Sequence, residues 1–258
     1  MTNREGTPIW YELMTNAPDA AQDFYASVMG WTFEAMPDGL EGDYRIASTG
    51  GEAVAGIMRT PDHAAGMPNM WFTYIGVDDV DASARKVKSL GGSVDIEPTD
   101  IPGVGRFAFC RDPQGAQFYV MRGNSDQESK AFSPTKPGHC SWNELVTTDQ
   151  KAALDFYIKL FGWEHGGAMP MGEMGDYTFI NDNGGMIGAV MDAPEKDAKP
   201  YWNFALQVAD IDEAKAAVEK GGGTVRMGPM ELPNDSGWLI QTDDSQGAKI
   251  MFTGLRKS

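Results

Sequence analysis

Histidine and cysteine, the side chains behind most transition-metal sites and disulfide frameworks, are almost missing from this chain. It has three histidines (His63, His139, His165) and two cysteines (Cys110, Cys140). Two cysteines cannot build a secreted disulfide scaffold, so two reduced thiols and a cytoplasmic protein are expected. Basic residues are also scarce: 21 Lys and Arg face 37 Asp and Glu, a formal net charge of −16. No cluster of Lys or Arg gathers on one segment, which excludes a nucleic-acid partner and an anionic membrane surface. Long hydrophobic runs are lacking as well. None approaches the roughly 18 residues that a membrane helix needs, and the opening Met1-Thr2-Asn3-Arg4-Glu5-Gly6 has no apolar core of a signal peptide. The partners left are a small molecule or further copies of the chain itself.

What the sequence does contain is a repeat. Trp10-x-Glu12-Leu13 returns 132 residues later as Trp142-x-Glu144-Leu145, and Asp23-Phe24-Tyr25 and Gly30-Trp31 return at the same spacing as Asp155-Phe156-Tyr157 and Gly162-Trp163. Gly42-Asp43-Tyr44 matches Gly175-Asp176-Tyr177, Trp71 matches Trp202, and Gln114-Gly115-Ala116 matches Gln246-Gly247-Ala248. Order is kept along the whole chain, the mark of a tandem duplication. The stretch between the copies is rich in Ser, Gly, Pro and charge and reads as a linker. The expected organisation is one domain over 7–122, a linker over 123–137 and a second domain over 138–254. Each copy is also expected to pack on the other.

Within a copy the pattern restarts halfway. Pro18 to Met29 carries Ala21, Phe24, Tyr25 and Val28 at helical spacing, and Gly30 ends it. Asp78 and Asp79 are placed to cap a second helix that Gly91-Gly92 stops; Asp210 and Asp212 open its counterpart. Strands are expected at Ile9–Met14, Tyr44–Thr49, Ala53–Met58 and Trp71–Val77, and around Gly105–Cys110 and Ala116–Met121. The second copy repeats this with helices over Gln150–Phe161 and Ile211–Lys220. Asp112-Pro113-Gln114-Gly115 reads as a tight turn and nothing more. Strand, helix, then several strands, four times over, is an α+β protein.

These residues resemble the vicinal oxygen chelate superfamily, which includes glyoxalase I, bleomycin-resistance proteins and extradiol dioxygenases. The likeness rests on Phe24-Tyr25 with Gly30-Trp31, on Val77-Asp78-Asp79-Val80-Asp81 opening a helix that ends at Gly91-Gly92, and on Asp112-Pro113-x-Gly115. It spans both copies, and the two-domain glyoxalase-like bacterial proteins are the nearest type. The resemblance implies four βαβββ modules forming cupped mixed sheets. Metal enzymes of the family place their ligands inside the cup, at positions that correspond here to Trp10, Phe72, Tyr119 and Gly56, and in the second copy to Trp142, Asn203, Met251 and Gly188. Indole, phenyl and thioether are not the donors of a Zn²⁺ or Fe²⁺ site. No metal and no cofactor are therefore expected.

Trp10, Phe72, Tyr119, Trp142 and Met251 would instead line an apolar, partly aromatic cup suited to a flat organic ligand; the alternative is that they simply fill it as core. Tyr74 and Asn203 would add polar atoms, and with Tyr74 and Tyr119 the first copy is the richer in hydroxyls. Glu12 and Glu144, two residues beyond each Trp, share its strand face. Each is a candidate general acid or base, since desolvation raises a carboxyl's pKa; the alternative is a carboxylate held by structural hydrogen bonds. The function expected is binding of an apolar or aromatic small molecule. A metal-free or atypical-metal enzyme of lyase, isomerase or oxygenase type, using Glu12 or Glu144, is the other reading.

Overall fold

The computed structural model describes residues 3–36, 43–195 and 198–257, so Met1, Thr2 and Gly42 of the first Gly-Asp-Tyr triplet lie outside the described residues. Among the described residues the first repeat runs β1 (Pro8–Thr15), α1 (Pro18–Met29), β2 (Thr32–Ala35), β3 (Tyr44–Thr49) and β4 (Glu52–Arg59). It then runs β5 (Met70–Gly76), α2 (Val80–Ser89), β6 (Ser93–Ile101), β7 (Gly105–Arg111) and β8 (Gln117–Gly123). The second repeat follows with β9 (Cys140–Thr147), α3 (Gln150–Phe161), β10 (Glu164–Pro170), β11 (Asp176–Asp182) and β12 (Gly185–Asp192). It closes with β13 (Tyr201–Val208), α4 (Ile211–Lys220), β14 (Thr224–Glu231), β15 (Trp238–Asp243) and β16 (Lys249–Gly254). The strands form two mixed sheets of eight, in the orders β2-β3-β4-β1-β5-β8-β7-β6 and β10-β11-β12-β9-β13-β16-β15-β14. Four βαβββ modules are thus present, and the α+β architecture is the expected one.

In each module the first and last strands are parallel, as β1 with β4 and β5 with β8, while the following strands return antiparallel. A parallel pair needs a crossover, and the helix supplies it. The helix ends follow the capping chemistry. Asp79, Asp149 and Asp210 accept hydrogen bonds from the first-turn N–H groups of α2, α3 and α4, and Pro18 opens α1. Gly30 and Gly162 end α1 and α3 in the left-handed conformation, at φ 68° and 72°.

The chain divides into two compact units, and neither coincides with a repeat. One comprises Met1–Ile9, Phe72–Ser129 and Trp142–Asn203; the other comprises Trp10–Trp71, Lys130–Ser141 and Phe204–Ser258. In the first unit α3 packs Phe156, Tyr157 and Phe161 around Phe118 of β8, with ring centroids 5.5–6.3 Å apart. Tyr157 Oη accepts from Trp202 Nε1 at 3.1 Å and donates to Asp112 Oδ2 at 3.1 Å. Asp112 Oδ1 takes the N–H groups of Gln114, Gly115 and Ala116 at 2.7–2.9 Å. The second unit builds the same lock separately: Trp71 donates to Tyr25 at 2.8 Å, Tyr25 to Asp244 at 3.0 Å, and Asp244 closes its own turn through Gln246 and Ala248. The Asp-Pro-Gln-Gly segment is therefore more than a turn, because its buried carboxylate also anchors the tyrosine of a helix from the other repeat. Burial pushes both carboxyls above their ordinary value, although the backbone N–H groups and the tyrosine oppose the rise.

Part of the segment read as a linker is also tied down. In the second unit Cys140 N–H donates to the Ala131 carbonyl, His139 Nδ1–H to the Lys130 carbonyl at 2.7 Å, and Lys136 pairs with Glu52. Both cysteines are buried and neither forms a disulfide, and burial pushes the Cys110 thiol up to about 12, which leaves it unreactive at neutral pH.

Candidate functional site

In the first unit the second repeat gathers Trp142, Glu144, Tyr177, Phe179 and Asn203. Trp142 and Glu144 share one face of β9 because strand side chains alternate, and Tyr177 and Phe179 do the same on β11. Trp142 Nε1 donates to Tyr177 Oη at 2.8 Å, and Tyr177 Oη donates to Glu144 Oε2 at 2.8 Å. The Asn203 side chain also hydrogen-bonds the Glu144 carboxyl. The Phe179 ring lies edge-on to both neighbours, its centroid 6.1 Å from Trp142 and 5.8 Å from Tyr177. Glu144 is buried, at 8% exposure, whereas Trp142, Tyr177 and Phe179 are half-buried. Burial raises the Glu144 carboxyl above its ordinary value, and the bonds from Tyr177 and Asn203 only partly offset this. Burial and the neighbouring Glu144 charge push the Tyr177 hydroxyl well up.

The same unit holds the aromatic group of the first repeat. Phe72 and Tyr74 of β5, Phe109 of β7 and Tyr119 of β8 come together, with Tyr74 and Tyr119 stacked at 4.2 Å and Phe109 on Tyr119 at 4.4 Å. Phe72 meets Phe109 and Tyr119 edge-on at 5.5 and 5.8 Å. All four are less than one-tenth exposed. The rings cover one another.

In the second unit Trp10 Nε1 donates to Tyr44 Oη at 2.9 Å, repeating the Trp142–Tyr177 bond. Glu12 is buried on the same strand and stands opposite Gly56 of β4 in the parallel register. A Cβ built on Gly56 would overlap Tyr44 Oη and come within 3.2 Å of Trp10 Nε1, so only glycine admits this tyrosine. Met251 is buried on β16 beside Ala205 of β13.

Sequence reasoning overlooked Tyr44, Tyr177 and Phe179. The signal for the tyrosines was present in the repeated Gly-Asp-Tyr triplet, which the strand register turns toward the repeated Trp-x-Glu. Among the described residues no group of three or more His, Cys, Asp or Glu is placed to hold a metal ion, and no helix is long and apolar enough to cross a membrane.

Tandem βαβββ modules in two mixed sheets of eight define a class, and comparison with known proteins places the chain in it. The chain belongs to the Glyoxalase/Bleomycin resistance protein/Dioxygenase superfamily, whose profile matches residues 8–120 and 136–252. It is 35% identical over 247 residues to CFP32 of Mycobacterium tuberculosis, provisionally named a glyoxylase, covering 95% of this chain and 93% of that one. It is 31% identical to the anthracycline biosynthesis protein DnrV of Streptomyces peucetius, covering 98% and 94% of the two chains. Among solved structures, the Mn(II)-bound glyoxalase from Novosphingobium aromaticivorans superposes with a TM-score of 0.66 at 16% identity, over 98% of this chain and 83% of that one.

Proposed function

We propose that the chain binds an apolar, predominantly aromatic small molecule, and that the second repeat's Trp142, Tyr177 and Phe179 supply the ring contacts, with Glu144 and Asn203 at the polar end. The observation that carries this reading is the buried Glu144 carboxyl wired to rings that keep part of their faces exposed. Ring-to-ring contact is worth about 0.5–1.5 kcal/mol beyond area burial, so an aromatic ligand gains most from such a wall. Having a relative in anthracycline biosynthesis is consistent with a polycyclic aromatic ligand. Although the sequence favoured the first repeat, its rings Phe72, Tyr74 and Tyr119 already use one another as partners.

The reading is metal-free. The family's ligand positions present Trp10, Gly56, Phe72 and Tyr119 in one repeat and Trp142, Gly188, Asn203 and Met251 in the other. Both indole N–H groups are spent on tyrosine oxygens. Such a donor set does not suit a hard divalent ion.

A second reading, an enzyme with Glu144 or Glu12 as acid or base, is favoured by the raised Glu144 carboxyl. Calorimetric titration of the intact chain with a planar polycycle such as 2-hydroxyanthraquinone tests the binding reading. Saturable binding should weaken about tenfold or more in Trp142→Ala and stay unchanged in Tyr74→Phe. Wild-type affinity in Trp142→Ala, or no binding of any planar aromatic, would sink it.

A further inference from the structure

The hydrogen bonds at Glu144 have one polarity. An indole N–H donates and accepts nothing, so Trp142 occupies a lone pair of Tyr177 Oη. The single hydroxyl proton of Tyr177 is then directed along the 2.8 Å contact to Glu144 Oε2. Asn203 also bonds this carboxyl in the sense that favours its ionised form. In its ionised form Glu144 terminates the chain as an acceptor. Among the described residues no Lys or Arg acts on this carboxyl; burial, Tyr177 and Asn203 do. An ionised carboxylate offers about four lone-pair sites, more than these two side chains occupy.

Such a terminus discriminates between ligands. A carboxylate or phosphate ligand meets uncompensated like charge, and an ether or ketone oxygen offers an acceptor to an acceptor. A hydroxyl on an aromatic ring supplies the missing proton. We propose that the second-repeat site selects neutral hydroxyaryl molecules, with the ring against Trp142 and Phe179 and the hydroxyl donated to Glu144. The proposal rests on the aromatic-ligand reading and names what that reading leaves open, the feature by which the ligand is chosen. Beyond their ring contacts, Trp142 and Tyr177 also position Glu144, because they fix which way the chain of protons points.

A matched pair of probes tests it: 2-hydroxyanthraquinone and its methyl ether, titrated into the full chain at a pH where the phenol is neutral and the Glu144 carboxyl is ionised. Charge-assisted hydrogen bonds of this kind correspond to about tenfold or more in affinity, so the hydroxy probe should bind about tenfold tighter than the ether. In Glu144→Gln that preference should fall toward unity. A readout on the unmutated protein accompanies it, since donation to a carboxylate shifts the bound phenol's absorption to longer wavelength and the ether's band stays in place. Equal affinities for the two probes, a preference that persists in Glu144→Gln, or an unshifted band overturns the selection while leaving the aromatic reading intact. Binding of neither probe removes both.

Discussion

At the scale of single residues, the account turns on two tyrosine hydroxyls, each accepting a tryptophan N–H. Gly56 makes the point for the first repeat. Gly56→Ala should push Tyr44 off Trp10, because the added methyl occupies the place of Tyr44 Oη. We expect a loss of about 1–3 kcal/mol from the displaced part-buried hydroxyl and unsatisfied indole, measured by chemical denaturation, with a change in tryptophan emission. A stability within about 0.5 kcal/mol of wild type would contradict the packing. Glu144 carries a pH signature. Its folded-state pKa lies above the ordinary 4.5, so the stability it contributes is complete below that value and is lost as pH rises through the folded value. Glu144→Gln should therefore gain on wild type in melting temperature as pH climbs past the ordinary carboxylate range, and show no such gain below it. A difference independent of pH would mean that the carboxyl is not desolvated. Both glutamates and both tryptophans were legible as repeated residues two apart on a strand. Their tyrosine partners were not, because β3 reaches β1 only across β4, and β11 reaches β9 only across β12, a matter of sheet order that local spacing does not encode.

At the scale of elements, the helices were the most legible part. Their 3.6-residue period, aspartate caps and terminal glycines are local signals, and α1, α3 and α4 fall where those signals place them. The outer strands β2, β6, β10 and β14 escaped the reading. Each sits at the end of a sheet and is mostly exposed, so it lacks a strong apolar alternation, and β10 and β14 contain glycine and proline. The turn at Asp112 was legible as a turn but not as a lock, since the tyrosine it holds lies 45 residues away on α3. Tyr157→Phe should cost about 1–3 kcal/mol, because it strands the Trp202 N–H and removes a donor from a buried carboxylate. Tyr25→Phe should cost a similar amount through Trp71 and Asp244. Gly162→Ala, at a left-handed position with open space around it, should cost only about 1–2 kcal/mol of backbone strain. Denaturant unfolding measures each loss. Hydroxyl deletions without effect would remove the locks from the account.

At the scale of the whole molecule, the duplication is plain in the sequence, and the partition into compact units is not. Each unit draws on both repeats, so its contacts join residues far apart in the chain, beyond the reach of any periodicity. Fragments cut between the repeats separate Asp112 from Tyr157 and Tyr25 from Asp244. Expressed singly they should be unstable or self-associate, and mixed they should recover a native-like spectrum; two well-behaved monomeric halves would contradict this. Elemental analysis of untagged protein should find less than stoichiometric Zn, Fe, Ni or Mn, and about one tightly held ion per chain would overturn the metal-free reading. The most direct measurement is a crystal structure of the intact chain grown with 2-hydroxyanthraquinone. The account predicts the ring system against Trp142 and Phe179, with its hydroxyl oxygen about 3 Å from a Glu144 carboxylate oxygen. Density for the probe elsewhere on the chain, with Trp142 and Phe179 closed over Glu144 by their own packing, would contradict it.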